Sequence, residues 1–542
     1  MRASLQSGLQ AGPLFPERPA LSDAAPTATA APPPKLTYRQ TVIILSGLML
    51  GMFLGAFDQT SIATALPTIA RDIGGAEYLS WVIAAYLLAS TAATPIYGKL
   101  SDLYGRKPML QVAICIFVGA SFCSANAESM LQLIVFRTIQ GIGAGGLVSM
   151  AHATIADVIS PRERGRFQPY IASAFTMAML TGPIVGGLFV DHLSWRYIFW
   201  LNIVVGLGAL YMSQRTLKHL VVKRVRHSID YAGAALIVAT VACLILAMSI
   251  AGQTGHWDSV QVLSLVAGAV VLGIGVVIRE RVALDPILPP RLFSNRIYVV
   301  ANSMNFLLSA NNFGLVIMIP IFLQVMHRMS PSEAGLFLLP LTVTGPMGAI
   351  TAGRTMAATG RYKFLPITGL TFTTVGTAML ALAAPGSSML WLMAAGALVG
   401  FGGGLVGPVT MVATQNSVAV RDLGTGTSSI SFFRSMGGAL GVSLLSAVLI
   451  SQLNLQLSPL PNYANLGAEP GLHIIRGGAA ALDPVPQVLM AEATQAVVKA
   501  FDWTFLICAL FAFTNLCLAL FLRELPLKTS SGREREGVGG DD

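Results

Sequence analysis

Long apolar segments recur along the chain and are separated by short polar stretches. Each segment holds about 20 residues, the length that a helix needs to cross the hydrocarbon core of a bilayer. Backbone groups in lipid must bond within their own segment, so these segments predict helices rather than open strands. We predict fourteen spans, numbered in chain order: 42–65, 78–97, 109–126, 130–152, 167–190, 197–214, 230–251, 261–280, 298–325, 333–353, 364–384, 389–413, 426–450 and 502–523.

The composition agrees with a membrane protein. Charged residues make up 11% of the 542 residues, whereas a soluble protein carries about 25%. So few charges cannot cover a water-soluble globule, and the lipid bilayer is an expected partner. The formal charge of +9 comes from basic residues dispersed between the spans, so no nucleic acid is expected to bind. All five cysteines lie in apolar segments, and no disulfide framework is predicted.

Lys and Arg concentrate in every second loop. With the N-terminus placed inside, the short outer loops hold only Arg71, Arg196 and Arg328, and the inner loops hold most other basic residues. The positive-inside rule then places both termini in the cytoplasm. We expect a multi-pass protein of the plasma membrane, which in a bacterium is the inner or cell membrane. An even number of spans is consistent with this arrangement.

The loops divide the chain into segments. The first 40 residues are rich in Ala and Pro, which is typical of disorder. A long outer loop is expected near 451–500. We predict a disordered cytoplasmic tail at 1–40, a six-helix half at 41–215, linker segments with inserted spans 7 and 8 at 216–296, a second six-helix half at 297–527 and a cytoplasmic tail at 528–542.

Two sequence patterns occur twice. The loop Gly98–Lys107 after span 2 resembles Gly353–Arg361 after span 10, at an offset of 255 residues. The glycines of Gly141–Gly145 in span 4 return in Gly400–Gly404 of span 12, at an offset of 259 residues. Repeated halves around a central site are typical of transporters. The predicted fold is therefore an all-α integral membrane protein with two six-helix halves and two inserted central helices.

Several motifs together carry a family resemblance: Phe57–Thr60 and Ala63–Pro67 in span 1, Gly98–Lys107, Arg137–Gly141 in span 4, Gly182–Gly187 in span 5 and Trp195–Asn202 at the start of span 6. From about Thr41 to Leu527 the chain resembles the fourteen-span drug:proton antiporters of the major facilitator superfamily, a group that includes quaternary-ammonium exporters. The loop motif is shared by the whole superfamily, whereas the span 1 and span 5 motifs together are more specific and favour export over uptake. The resemblance implies proton-coupled export of small amphipathic drugs, toxic compounds or metabolites by alternating access. Some members of the resembling group carry carboxylates in span 13, whereas this chain has none there, and the resemblance therefore argues against divalent cationic drugs as substrates.

Asp58 and Arg137 are the candidates for proton coupling. An ionised side chain near the bilayer centre costs about 2.5–3.5 kcal/mol on insertion scales, so such residues usually have a function. Burial favours the neutral form of a carboxyl, which allows Asp58 to load and release a proton. The resemblance implies that Arg137 participates. The alternative is a fixed structural ion pair. His152 in span 4 is a weaker candidate, because a lone His is more often a packing residue.

Two glycine-containing motifs are the candidates for conformational change. In the loop after span 2, Asp102 can cap a neighbouring helix or pair with a basic residue of another helix. Such a contact can hold one conformation closed and be released in the other, as a latch. The competing interpretation is membrane topology alone, because the basic residues of this loop also satisfy the positive-inside rule. In span 5, small residues permit close packing and bending. The gating candidates are Gly98, Asp102, Gly105, Arg106 and Lys107, and the antiporter-motif candidates are Gly182, Pro183, Gly186 and Gly187.

Amides and aromatic side chains in the spans suggest an adaptable pocket for amphipathic ligands. Arg434 is a further intramembrane cation in span 13. For any single residue, hydrogen bonding or packing between helices is the competing interpretation. The candidate cavity residues are Trp81, Tyr86, Asn305, Phe306, Asn312 and Arg434.

Other functions remain as alternatives. A dedicated metabolite exporter fits the same motifs, and nutrient uptake fits them less well. No metal-ligand cluster and no phosphate-binding Gly-Lys-Ser/Thr loop stands in the sequence, which argues against an enzyme or a built-in ATPase. No cofactor or metal is expected, and the proton is the expected coupling ion. A periplasmic adaptor is an expected partner only if the host has an outer membrane.

Overall fold

The computed structural model describes residues 38–75, 78–159, 161–217, 230–254, 257–283, 286–329, 331–383, 386–419, 422–458, 474 and 490–527. Helices form the regular structure of these residues, and fourteen of them are long and apolar enough to cross a membrane. The predicted all-α fold and the fourteen spans are confirmed. We number the long helices α1 Tyr38–Ile73, α2 Leu79–Tyr104, α3 Arg106–Ala125, α4 Met130–Val158, α5 Pro161–His192, α6 Arg196–Thr216, α7 Tyr231–Thr254, α8 Val260–Val282, α9 Arg296–Met326, α10 Leu339–Thr359, α11 Phe364–Ala381, α12 Met389–Ser417, α13 Leu423–Leu457 and α14 Met490–Leu520; the short helices Pro290–Phe293 and Pro331–Leu336 precede α9 and α10.

The helices form two bundles with the same internal packing. In the first bundle, α1 packs on α5 and α6, α2 on α4, and α3 on α4 and α6. In the second, α9 packs on α13 and α14, α10 on α12, and α11 on α12 and α14. Two seams join the bundles, one between α2 and α13 and the other between α5 and α10. The second bundle thus repeats the first, and each seam is the counterpart of the other.

The repeated glycines explain the closest helix contacts. A Cβ atom on Gly145 would collide with the backbone of Ser90 on α2, and one on Gly404 would collide with Gly345 on α10. Only a residue without a side chain lets these helix backbones approach so closely. The glycine repeat in the sequence therefore reflects one packing arrangement used twice.

The inserted helices α7 and α8 pack against each other and form a hairpin beside the α2–α13 seam. α7 packs on both α2 and α13, so it contacts both bundles. Its buried side chains Ile237, Val241 and Ile245 share one apolar cluster with Ala92 of α2 and Phe432 of α13. The hairpin is consequently an element of the interface between the halves and not only a linker.

Two predicted boundaries need correction. α1 already begins at Tyr38, inside the predicted tail 1–40, while residues 1–37 and the predicted tail 528–542 lie outside the described residues. The predicted outer loop 451–500 is also too long. α13 continues to Leu457 and α14 begins at Met490, because Leu453, Leu457 and the face Ala493–Ala500 remain buried in one apolar cluster.

Candidate functional site

A dry polar cluster surrounds Asp58 within the first bundle. Its carboxylate accepts a hydrogen bond from Arg137 Nη1 at 2.5 Å, from Asn202 Nδ2 at 2.6 Å and from Gln140 Nε2 at 3.1 Å. The side chains of Arg137 and Asp58 are 1% and 0% exposed. All three partners donate, so the arrangement suits an ionised carboxylate, which only accepts. The structure thus brings together the two predicted proton-coupling residues.

The polar cluster is nearly saturated with partners. The Arg137 guanidinium lies 4.1 Å from the centre of the Tyr86 ring, and the Tyr86 hydroxyl donates to Gly55 O at 3.2 Å. Gln140 also donates to Ser121 at 2.8 Å and accepts from Arg137 at 2.8 Å. Two buried atoms are left without a hydrogen bond, Arg137 Nε and Asn202 Oδ1. Tyr86, predicted as a cavity residue, is buried beside Arg137 in this cluster.

The span 5 motif packs against the next turn of the helix that carries Asp58. A Cβ atom on Gly182 would collide with Thr60, and one on Gly186 would collide with Thr64 and Ser61. A Cβ atom on Gly187 would meet nothing within 4 Å, and Pro183 lies in the same helix. At Thr60 the α1–α5 contact thus lies two residues from Asp58, and α5 itself lines one seam between the bundles.

The loop between α2 and α3 joins the two bundles at the other seam. Asp102 Oδ2 accepts hydrogen bonds from both the backbone N and the Oγ1 of Thr425, each at 3.1 Å. Thr425 lies in the first turn of α13, where unpaired N–H groups and the helix dipole favour an anion. Asp102 thus caps a helix of the opposite bundle. We call the contact of Asp102 with Thr425, together with Arg106, the latch.

Arg106 holds the latch carboxylate in place. Its Nη1 is 2.6 Å from Asp102 Oδ1, its Nε donates to Asp157 Oδ2 of α4 at 2.7 Å, and its Nη1 also bonds Ser101. Gly105 connects α2 to α3 with φ +95°, a conformation that glycine adopts readily because it has no Cβ atom. Lys107 is half-buried, and a Cβ atom on Gly98 would collide with Ser428 of α13.

The second copy of the loop motif is tied within its own bundle. Glu524 accepts hydrogen bonds from the backbone N of Tyr362 at 2.6 Å and of Lys363 at 3.2 Å. Gly360 ends α10 with φ +70°. The first loop contributes a carboxylate to the opposite bundle, whereas this loop receives one from the chain after α14. The two copies therefore differ in what they connect.

The candidate cavity residues of the second bundle lie in different environments. Asn305 is buried and donates to Ala301 O within α9 at 2.9 Å, while the Phe306 carbonyl packs on Gly437 of α13. Asn312 lies against Gly403 of α12. Trp81 of the first bundle is 38% exposed.

Arg434 is the cavity candidate that the structure places between the bundles. Its guanidinium carbon is 5.5 Å from the centre of the Phe175 ring on α5. The side chain is half-buried, and it reaches from α13 of the second bundle to α5 of the first.

A further ion pair ties α1 to α6 at the end of α1. Asp72 accepts from Trp195 Nε1 at 2.9 Å and from Arg196 Nη1 at 2.6 Å. These two hydrogen bonds hold the pKa of Asp72 below its usual range, and the bond from Trp195 has the larger effect. Arg196, counted in the sequence as an outer-loop base, is thus also a structural partner.

Sequence reasoning missed four partners of the predicted residues. Gln140 and Asn202 were visible as amides inside apolar spans, and Gln140 follows Arg137 by three positions on one helix face. Thr425 and Asp157 carried no comparable signal, because their role depends on which helix ends meet in the folded chain.

Comparison with known proteins identifies the family. The family model described as Major Facilitator Superfamily matches residues 48–442. The multidrug transporter protein MdtP of Bacillus subtilis is 36% identical over 75% of this chain and 75% of its own length. Multidrug resistance protein 3 of Bacillus subtilis is 30% identical over 91% of this chain and 97% of its own.

A solved structure shares the fold. The human organic anion transporter MFSD10 superposes with a TM-score of 0.57, covering 87% of this chain and 99% of that one, at 16% identity. At that identity the likeness concerns the fold alone. The family match and the bacterial relatives show what kind of protein this is: the chain belongs to the major facilitator superfamily, and it is a multi-pass membrane transporter rather than an enzyme.

Proposed function

We propose that this chain is a proton-coupled antiporter that exports small amphipathic molecules by alternating access, with Asp58 as the residue that carries the proton. The observation that carries the proposal is the Asp58 cluster: a carboxylate without solvent exposure, held by nitrogen donors of α4 and α6. One relative is named a multidrug transporter, a second is named a multidrug resistance protein, and a third is named efflux pump FUS6 of Gibberella moniliformis.

Protonation of Asp58 changes the packing of α1. A neutral carboxyl loses its attraction to Arg137 and must redirect one of its bonds, since its new hydrogen needs an acceptor. The bonds from Arg137 and Asn202 hold α1 against α4 and α6. A looser α1 shifts α5, because Thr60 lies against Gly182. The proton is thereby coupled to a helix that forms a seam between the bundles.

The latch supports alternation between two states. It holds the α2–α13 seam closed through Asp102 and Thr425, on the face that the sequence predicts to be cytoplasmic. When it opens, the opposite face closes. The same proposal includes export across a plasma membrane with both termini in the cytoplasm. In a host with an outer membrane it also includes a periplasmic adaptor as partner.

Asp58→Asn tests the proposal. Inside-out vesicles with an acidic lumen should drive wild-type accumulation of an amphipathic dye, and we measure the initial rate with the anion sulforhodamine B and the cation rhodamine 6G. Asp58→Asn keeps the size of the side chain but cannot titrate, so accumulation should fall at least tenfold. Dye exchange without a pH gradient should persist, and Asp58→Glu should retain partial coupling.

Asp191→Asn is the matched control, since Asp191 is an exposed acid near the end of α5. It should leave accumulation unchanged at equal protein levels. Accumulation by Asp58→Asn near the wild-type rate would mean that another group carries the proton, and His152 would be the next residue to replace.

A further inference from the structure

Arg434 lies deep in the membrane-spanning part of α13. It follows Leu423, the first residue of the helix, by eleven positions, which is about 16 Å along the helix axis. Its cation–π partner, Phe175 of α5, belongs to the opposite bundle. The guanidinium is therefore held between the halves and not within one of them.

The repeat places Arg434 at the centre of the molecule. Phe175 and Arg434 are 259 residues apart, the offset that separates Gly141 from Gly400 in the equivalent helices α4 and α12. Phe175 is thus the counterpart of Arg434 in the first bundle. Two residues that a pseudo-two-fold axis relates can touch only if both lie beside that axis. In repeat transporters, substrate sites lie at this interface near the bilayer midplane.

Arg434 has no counter-charge in the part of the chain that the structure describes. Among the described residues, the Phe175 ring is the attractive partner of its charge. Other cations of the long helices are paired: Arg137 with Asp58, and Arg106 with Asp102 and Asp157. An Arg at the bilayer centre costs about 2.5–3.5 kcal/mol on insertion scales. A cation–π contact returns about 0.5–2 kcal/mol, so an anion is still favoured at this position.

His152 of α4 uses one of its two ring nitrogens within its own helix. Its Nδ1 lies 3.0 Å from Val148 O. A carbonyl oxygen only accepts, so Nδ1 carries the hydrogen of that bond and Nε2 is the atom left for another partner.

We propose that Arg434 is the anion-binding residue of the transport site, and that the substrates are amphipathic anions with a carboxylate, sulfonate or phosphate group beside an aromatic or aliphatic body. The guanidinium can bind such a group with two parallel hydrogen bonds. Phe175 offers an apolar surface next to the charge. The inference rests on the proposed export function and names its substrate class, which differs from that of the quaternary-ammonium exporters in the resembling group.

Two dyes with the same xanthylium chromophore and opposite net charge test this inference. Purified full-length protein in detergent is titrated with sulforhodamine B, the net anion, and rhodamine 6G, the net cation, and binding is followed by fluorescence polarisation. The wild type should bind the anion at least tenfold more tightly, equivalent to about 1.4 kcal/mol. Arg434→Gln should abolish that preference, and Arg434→Lys should keep part of it.

Arg215→Gln is the matched control. Arg215 is exposed at the end of α6, and its guanidinium also lies over one aromatic ring, that of Tyr211 at 5.1 Å. The control removes the same charge from the same protein and should leave both affinities unchanged. Size-exclusion profiles show whether each variant is folded.

Three results would overturn the inference: tighter wild-type binding of the cation, wild-type binding of neither dye, or an equal loss of both dyes in folded Arg434→Gln. If Arg434→Gln fails to fold, the wild-type preference and Arg434→Lys still decide the outcome. Because binding is measured without a pH gradient, a failure of proton coupling leaves the dye preference intact. Likewise, a protein without a preference for the anionic dye can still carry out proton-driven export.

Discussion

At the scale of the residue, Asp58 and Arg137 combine a short ion pair with almost complete exclusion of solvent. Attraction between two buried charges offsets the loss of their hydration only while both charges are present. The amide donors from Gln140 and Asn202 complete the carboxylate's partners. The pair is therefore sensitive to the loss of one member, in contrast to an ion pair at the surface.

Arg137→Met should destabilise the protein strongly, by about 3–5 kcal/mol, because it leaves a buried carboxylate without its cation. The double variant Asp58→Asn with Arg137→Met should recover most of that loss. Thermal unfolding in detergent measures both effects. Arg196→Met, at the half-exposed pair with Asp72, should cost about 0–1 kcal/mol. A double variant as unstable as Arg137→Met would contradict this account.

The sequence predicted these charges but not the full set of partners. Asp58 and Arg137 stood out because charges are rare in apolar spans. Gln140 and Asn202 lie 82 and 144 positions from Asp58 along the chain. Their approach depends on how α1 packs against α4 and α6, which a single sequence does not contain. Arg434 was also visible as an intramembrane cation, whereas its contact with Phe175 required the folded structure.

At the scale of the element, the glycines of α4 and α12 set the spacing of their helices. Gly143 lies against α3 at Phe117, and Gly402 lies against α11 at Gly369. α4 and α12 thus each contact a second neighbour through another glycine of the same repeat. The apolar runs predicted these helices well, but not their ends. Polar residues such as Gln452 and Glu492 lowered the local hydropathy while one face of each helix stayed buried.

Gly145→Ala and Gly404→Ala should each destabilise the protein by about 1–3 kcal/mol, because the new methyl group forces two helix backbones apart. Urea or thermal unfolding of purified protein measures the change. Gly119→Ala in α3 is the control, since a Cβ atom there would meet nothing within 4 Å. It should be neutral or stabilising by up to about 1 kcal/mol. Equal losses at all three positions would show that helix contact is not the cause.

At the scale of the whole molecule, the latch adds a charged contact to the apolar packing that joins the two bundles at the α2–α13 seam. Asp102 lies 323 positions from Thr425 along the chain, and it meets the first turn of α13. A charge at a helix N-terminus stabilises by about 0.3–2 kcal/mol. A contribution of this size is enough to bias an equilibrium between two arrangements without preventing their exchange.

Asp102→Asn should shift that equilibrium toward the open latch. Ser428 is fully buried under Gly98, so the thiol of a Ser428→Cys variant reports opening through its rate of alkylation by a maleimide. In a background with the five native cysteines replaced by serine, Asp102→Asn should accelerate alkylation by up to roughly thirtyfold. Asp191→Asn should not change the rate. An unchanged rate in Asp102→Asn would show that the carboxylate does not hold the seam closed.

The α7–α8 hairpin gives the two seams unequal access to the lipid. α7 covers the α2–α13 seam from the side, and its apolar cluster with Ala92 and Phe432 seals that wall. In the described part of the chain no corresponding hairpin flanks the α5–α10 seam. An amphipathic molecule dissolved in the bilayer is therefore separated from the α2–α13 seam by α7, whereas no such hairpin among the described residues separates it from the α5–α10 seam. For a substrate that reaches the transporter through the lipid, we therefore expect lateral entry from one direction, on the side of the α5–α10 seam.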